Sequence, residues 1–404
     1  MSAGRPARGP AGGGRLFTGG RFATADAGVM DGWLLVRDGL IHSLGTGAPP
    51  GGADAVVRLG GRLVVPGFVD PHCHGGAGHS VYTGDPAAVR GAAAGHLARG
   101  TTTMLASVAT VEPRAMEAAV RAIASVIDDG SAPNLVGIHF EGPFLSPARR
   151  GAQTRTALRD PDPDLMARLL DAAGGHAMSM TVAPELPGAP ELIRRYADEL
   201  LCCLGHTDAD AAQFARAAGL GARAVTHLFN AMPPLHHREP GPVAAALLDP
   251  RLVCELVLDG HHLADDTVRL AHRIAGPDRL MLVSDAMPAA GMADGDYAFA
   301  DREVTVAGGV ARLRGTDTLA GSTLFVAEAF RRAVSVSVSE GGSVAEPSVG
   351  IPLPDAVRMT SGTAARLLGL RDRGELRPGL RADLVELDAA LRPARVWLGG
   401  VAVG

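Results

Sequence analysis

The sequence predicts an α/β protein: a (β/α)8 TIM barrel with a small β-sandwich domain built from the N- and C-terminal segments. Three observations predict it. Eight short apolar runs rich in β-branched residues alternate with longer Ala-, Leu- and Arg-rich stretches. Both ends of the chain read instead as alternating patterns punctuated by Gly and Pro. Polar residues recur where the apolar runs end, the rim at which a barrel assembles its chemistry.

Taken in order, residues 1–13 read as a flexible tail, 14–66 plus 374–404 as the small β-domain, and 67–373 as the barrel. The β-domain rests on "RLFTGGRFA", "GWLLVRDGLIHSLG", "ADAVVRLGGRLVV" and the closing stretch from Gly374. The barrel strands are expected at 67–74, 101–107, 135–142, 178–185, 201–207, 224–230, 252–260 and 280–286. Helices are expected between them, at 87–100, 114–127, 164–174 and 208–219 among others. A β-hairpin excursion is expected at 296–315 and a surface loop at 335–350. A doubly wound sheet is the competing architecture. The eight similar units and the lack of a glycine-rich dinucleotide turn favour the barrel.

Bulk composition narrows the function. Of 404 residues, 47% are hydrophobic and 20% charged, as in an ordinary globular protein. A formal charge of -5 removes the electrostatic case for nucleic acid. No apolar stretch approaches the roughly eighteen residues of a membrane span, and the N-terminus lacks the apolar centre of a signal peptide. Cys73, Cys202, Cys203 and Cys254 form no C-x-x-C, so neither a disulfide scaffold nor a cysteine zinc site is expected. A reducing cytoplasm is the expected location. The chain has no lysine, which excludes a P-loop lysine, a Schiff base and a carboxylated-lysine metal bridge.

The candidate site residues close different strands. "VPGFVDPHCHG" places His72 and His74 on one face of an extended segment and Cys73 on the other. Such a pair serves either as metal ligands or as hydrogen-bonded interior histidines. Glu141, His206, His227 and Asp285 end the third, fifth, sixth and eighth runs. Each has a structural alternative, but their joint placement at one rim argues for chemistry. Imidazoles with a carboxylate suit Zn²⁺, Fe²⁺ or another divalent ion, and a further carboxylate suits proton transfer. Asp285 fits that last role. His139 shares the face of Glu141 one pleat deeper and is expected in the core or behind the ligands.

With these residues in place, the chain resembles the amidohydrolase superfamily, through "PGFVDPHCHG", the strand-end histidines and "SDA". Its finer motifs resemble the N-acetylglucosamine-6-phosphate deacetylases: "HFEGPFLSPARRGAQ", "LGHTDA", "THLFNAMPPLHHREPG", "LDGHHLADD", "LVSDAMPAAG" and "LAGSTL". The resemblance implies that Glu141, His206 and His227 hold a principal metal. His72 and His74 would help hold a second, so one or two ions per subunit are expected. Asp285 would be general base, then general acid. Asn230, Ala231, Ala152 and the stretch Leu319, Ala320 and Gly321 would line the sugar. Arg238 and His262 would meet the 6-phosphate, partly across a homodimer interface. The implied reaction releases acetate from N-acetyl-D-glucosamine 6-phosphate. One departure stands out: Gln153 occupies a position that is often histidine in the family. The rival readings are another amidohydrolase, acting on a different N-acetylhexosamine phosphate, a ring amide or an exocyclic amine, and a non-catalytic barrel used for binding.

Overall fold

The computed structural model of the chain describes residues 14–24, 28–334 and 349–403. The expected tail and most of the expected 335–350 loop lie outside these residues. Eight parallel strands form the central sheet, paired in chain order. They are Phe68–Asp70, Thr101–Val108, Leu135–Glu141, Ala177–Val182, Leu201–Leu204, Ala224–Val225, Val253–Val257 and Leu280–Val283. Between them run helices such as Pro86–Leu97, Pro113–Asp128, Pro163–Ala173 and Ala211–Leu220.

The ring closes at its upper rim rather than along the full strands. The backbone N–H of Asp285 donates to His72 O at 2.9 Å, and that of His74 to Ala286 O at 2.8 Å. The barrel is therefore tightest where the expected site residues gather. Its interior is filled by Val69, Cys203, Ala224, Val257, Met281 and Val283, with Ala364 and Ala365 of a C-terminal helix packed against them. Such a layered interior is a core and not a pore.

Several strands end earlier than the alternation predicts. The fifth stops at Leu204 and the eighth at Val283. The sixth is only Ala224–Val225, followed by turns. Each then turns sharply, with φ of 47° at His206, 28° at His227 and 47° at Asp285. Left-handed backbone is costly for a residue with a Cβ, and such positions concentrate at functional sites.

The two termini build one further eight-stranded sheet. Leu63–Pro66, the strand that feeds the barrel, lies between Arg15–Thr24 and Leu384–Leu387. The first half of Arg15–Thr24 pairs with Ala55–Arg58 and the second half with Leu63–Pro66, so the sheet branches there. Phe17 and Trp397, three strands apart in the pairing order, meet edge to face at 5.0 Å. The sheet therefore curls over its own core of Phe22, Leu34, Ile41 and Leu384. After the eighth barrel strand, the expected hairpin is a three-stranded meander: Gly295–Phe299, Arg302–Ala307 and Val310–Leu313.

Candidate active site

The carboxylate of Glu141, at the end of the third strand, is the centre of the site. Its Oε1 lies 3.2 Å from His206 Nε2 and 3.3 Å from both His227 Nε2 and His72 Nε2. Its Oε2 lies 3.1 Å from His74 Nε2. Asp285 Oδ1 stands 3.5 Å from the Nε2 atoms of His72 and His74. The structure thus brings together all six residues expected at strand ends, although only Glu141 ends one and the others follow strands that stop earlier, the first at Asp70; all six are buried.

Hydrogen-bond partners determine how the imidazoles present themselves. His206 Nδ1 donates to Arg149 O at 2.9 Å, and His74 Nδ1 donates to Ser107 O at 2.9 Å. His72 Nδ1 donates to Glu255 Oε2 at 2.9 Å. In the neutral rings, each Nε2 therefore carries a lone pair aimed at the centre. Yet His72 Nε2 and His74 Nε2, both fixed in this way, are 3.2 Å apart. Lone pairs facing at that distance repel unless a cation sits among them. Four imidazoles and one carboxylate are the donor set of a divalent ion, so the residues present fit one. Two triads meet at Glu141: His72, His74 and Glu141, and Glu141, His206 and His227.

The same crowding shapes the protonation of these groups. Burial pushes the Glu141 carboxyl up, but His72, His74 and His206 around it hold it well below the usual carboxylate range. Burial disfavours charge on His72, yet the carboxylates of Glu255, Glu141 and Asp285 hold it well above the usual imidazole value. His139, one pleat deeper, is pushed well below by burial and by the neighbouring His72. It sits between Ser107 Oγ and Thr181 Oγ1, each at 2.9 Å, and backs the site rather than entering it.

A cavity of about 250 Å³ opens above this centre. Its wall includes Ala152, Asn230, Ala231, His262, Leu319 and Gly321, all expected from the sequence, and Phe299 and Thr318, which were not. Gln153 also lines it: its Oε1 accepts from Thr110 N at 2.8 Å, which turns its amide N–H onto Glu141. Gly321 has φ of 60°, and a Cβ there would lie 2.9 Å from Asp285 O. Its neighbour Ser322 donates to that carbonyl at 2.7 Å, so this stretch braces the Asp285 turn. Asp259 Oδ2 accepts from His262 Nδ1 at 2.7 Å. Burial disfavours the charged His262, but Asp259 raises it above the ordinary imidazole value.

Three expected residues stand apart from the cavity wall. His72 lies behind it, and Ala320 is buried away from it. Arg238 is on the exposed stretch 234–240, its Nη1 on His237 Nε2 at 2.7 Å. Sequence reasoning missed Glu255, inside the apolar run "LVCELVLDG" of the seventh strand. A carboxylate between buried aliphatic neighbours was the available signal. A separate buried cluster of Asp70, Cys73 and His96 lies behind the first strand. There His96 Nε2 and Cys73 Sγ both turn toward Gly75 O, at 2.9 and 3.4 Å.

The sequence model of the amidohydrolase family matches residues 63–403. N-acetylglucosamine-6-phosphate deacetylase of Bacillus subtilis (strain 168) is 35% identical over 371 residues, 90% of each chain. N-acetylgalactosamine-6-phosphate deacetylase of Escherichia coli O157:H7 is 32% identical over 383 residues, 94% of this chain and 97% of the other. The solved N-acetyl-D-glucosamine-6-phosphate deacetylase from Mycobacterium smegmatis superposes with a TM-score of 0.88 at 38% identity, over 96% of this chain and 100% of the other.

Proposed function

The chain belongs to the amidohydrolase family, and from that premise we propose that it hydrolyses the acetamide of N-acetyl-D-glucosamine 6-phosphate to D-glucosamine 6-phosphate and acetate. The observation that carries this reading is the convergence of four imidazole nitrogens on Glu141, with Asp285 beside them at the floor of a sugar-sized cavity.

In this reading Glu141, His206 and His227 hold the principal ion, which we assign as zinc. His72 and His74, with Glu141 between, offer a second position. A divalent ion held there would lower the pKa of bound water from about 15.7 toward about 7 and would polarise the carbonyl under attack. The remaining work falls to side chains. Asp285 accepts a proton from the attacking water as its oxygen bonds to the acetyl carbon. It then returns that proton to the amide nitrogen as the C–N bond breaks, so a neutral amine and acetic acid form, and the acid gives up its remaining proton to solvent as acetate. Asn230, Ala231, Leu319 and Gly321 hold the sugar ring so that the acetamide faces the floor. With only 4% aromatic residues in the chain, that grip rests on hydrogen bonds more than on stacking.

Charge recognises the phosphate. Burial disfavours charge on His262, but the Asp259 carboxylate raises it above the ordinary imidazole value, which favours a cation next to the sugar-binding wall. Arg238 offers a planar fork suited to phosphate oxygens. It is exposed and off the wall of its own cavity, with Leu235 50% and Leu248 73% exposed near it in the chain. That placement supports a homodimer in which Arg238 completes the partner's phosphate site. The reading places the enzyme in the cytoplasm, among steps that break down amino sugars. All four cysteines are free and buried, as suits that setting.

Similarity to a galactosamine-directed relative keeps the sugar epimer as a second reading. The test measures acetate release from the gluco and galacto N-acetylhexosamine 6-phosphates and from their unphosphorylated forms, with and without zinc, alongside elemental analysis. Release should require metal and the phosphate. Equal rates with and without phosphate would discard the phosphate assignment, and no release by metal-loaded protein would discard the reaction.

A further inference from the structure

One buried carboxylate has no part in the chemistry above, yet it touches two of the metal-facing histidines. Glu255 sits in the seventh strand with 2% of its surface exposed. Its Oε2 accepts from His72 Nδ1 at 2.9 Å and from the backbone N–H of His227 at 3.1 Å. Its main-chain oxygen accepts from the N–H of Leu228 at 2.9 Å. Glu255 therefore holds the left-handed turn at His227 through two consecutive amides and orients His72 through its ring.

The four histidines differ in how they are aimed. His72, His74 and His206 are each fixed by a partner on Nδ1. His227 Nδ1 is buried without a hydrogen-bond partner among the described residues. Its ring direction thus comes from its backbone, and Glu255 sets that backbone. We infer that Glu255 is a positioning residue that aligns one histidine of each ion subsite, coupling the His72–His74 side to the His206–His227 side. Hydrogen-bonded carboxylates behind metal-bound imidazoles fix the tautomer and strengthen the donor. This inference rests on the metal-site reading above and extends it.

The test compares Glu255→Gln with the unaltered enzyme. Zinc affinity is measured by competition with a chelator, ion stoichiometry by elemental analysis, and melting temperature with and without zinc. The expected result is zinc affinity weaker by roughly 10–100-fold, with the melting temperature of the metal-stripped protein little changed and its rise on adding zinc reduced. A purely structural glutamate would lower the metal-stripped melting temperature and leave affinity intact. Glu255→Asp keeps the charge but withdraws the oxygen from both partners, so it should weaken zinc similarly. Wild-type affinity in whichever variant folds overturns the inference. Acetate release by the unaltered enzyme is assayed in parallel. Its absence would count against the reaction and not against the role of Glu255, which the zinc titration reads directly.

Discussion

At the scale of single residues, the proposed function separates holding from proton transfer. Asp285 is within 3.5 Å of the His72 and His74 nitrogens but belongs to neither triad of donors. Asp285→Asn should therefore keep its metal, measured by elemental analysis, and lose about 10²–10⁴-fold in kcat. The Asp259–His262 pair makes a separate prediction about pH. Burial works against both charges, but their mutual contact takes Asp259 down to about 2 and raises His262. A raised histidine is fully protonated below its ordinary value and loses the proton as pH climbs through the raised one. KM for the phosphorylated sugar should accordingly rise on the alkaline side. His262→Gln should show a high KM throughout, with that pH dependence flattened. An alkaline rise that persists in the variant would assign it to another group.

At the scale of elements, the backbone turns carry the design. The alternation of short apolar runs with helical stretches made the eight strands and their order legible, since strands buried on both faces of a parallel sheet read as continuous apolar runs. It overran the ends of the fifth, sixth and eighth. A one-letter pattern records whether a position is apolar, not that His206, His227 and Asp285 adopt positive φ. For the same reason, no hydropathy signal marks the brace at Gly321. Gly321→Ala would combine a disfavoured φ with a Cβ 2.9 Å from Asp285 O. It should cost about 1 kcal/mol or more of stability and reduce kcat by displacing the Asp285 turn, with zinc content preserved. Unchanged kcat at full metal loading would show that the turn tolerates the shift. Glu255 escaped notice for a different reason: a lone acid in an apolar strand reads as noise until its partners, from the first and sixth strands, are brought beside it.

At the scale of the whole molecule, the chain folds as two layers of commitment: a barrel that gathers the chemistry and a curled sheet that joins both termini. The split sheet was legible because its Gly- and Pro-punctuated strands differ so plainly from the β/α repeat. The place of Arg238 was not, since a motif records no distance, and the structure sets this residue on an exposed stretch off the cavity wall. Arg238→Ala should raise KM for the phosphorylated sugar at least tenfold, while KM for the unphosphorylated sugar and the zinc content stay unchanged. A matching change on both sugars would remove phosphate from its role. Core packing of the curled sheet gives a purely structural check. Trp397, 2% exposed and edge-on to Phe17, should cost about 3–5 kcal/mol on replacement by Ala. That loss is measurable by denaturant unfolding.

The position of Leu384–Leu387 beside Leu63–Pro66 also bears on synthesis. A ribosome releases every barrel strand before it releases the partner that the entry strand needs. During that interval a nascent chain exposes Val64 and Val65 along an unpaired edge, an open invitation to neighbouring polypeptides. Truncation before Leu384 would leave the residues around Glu141 in the chain and still yield a protein prone to clump.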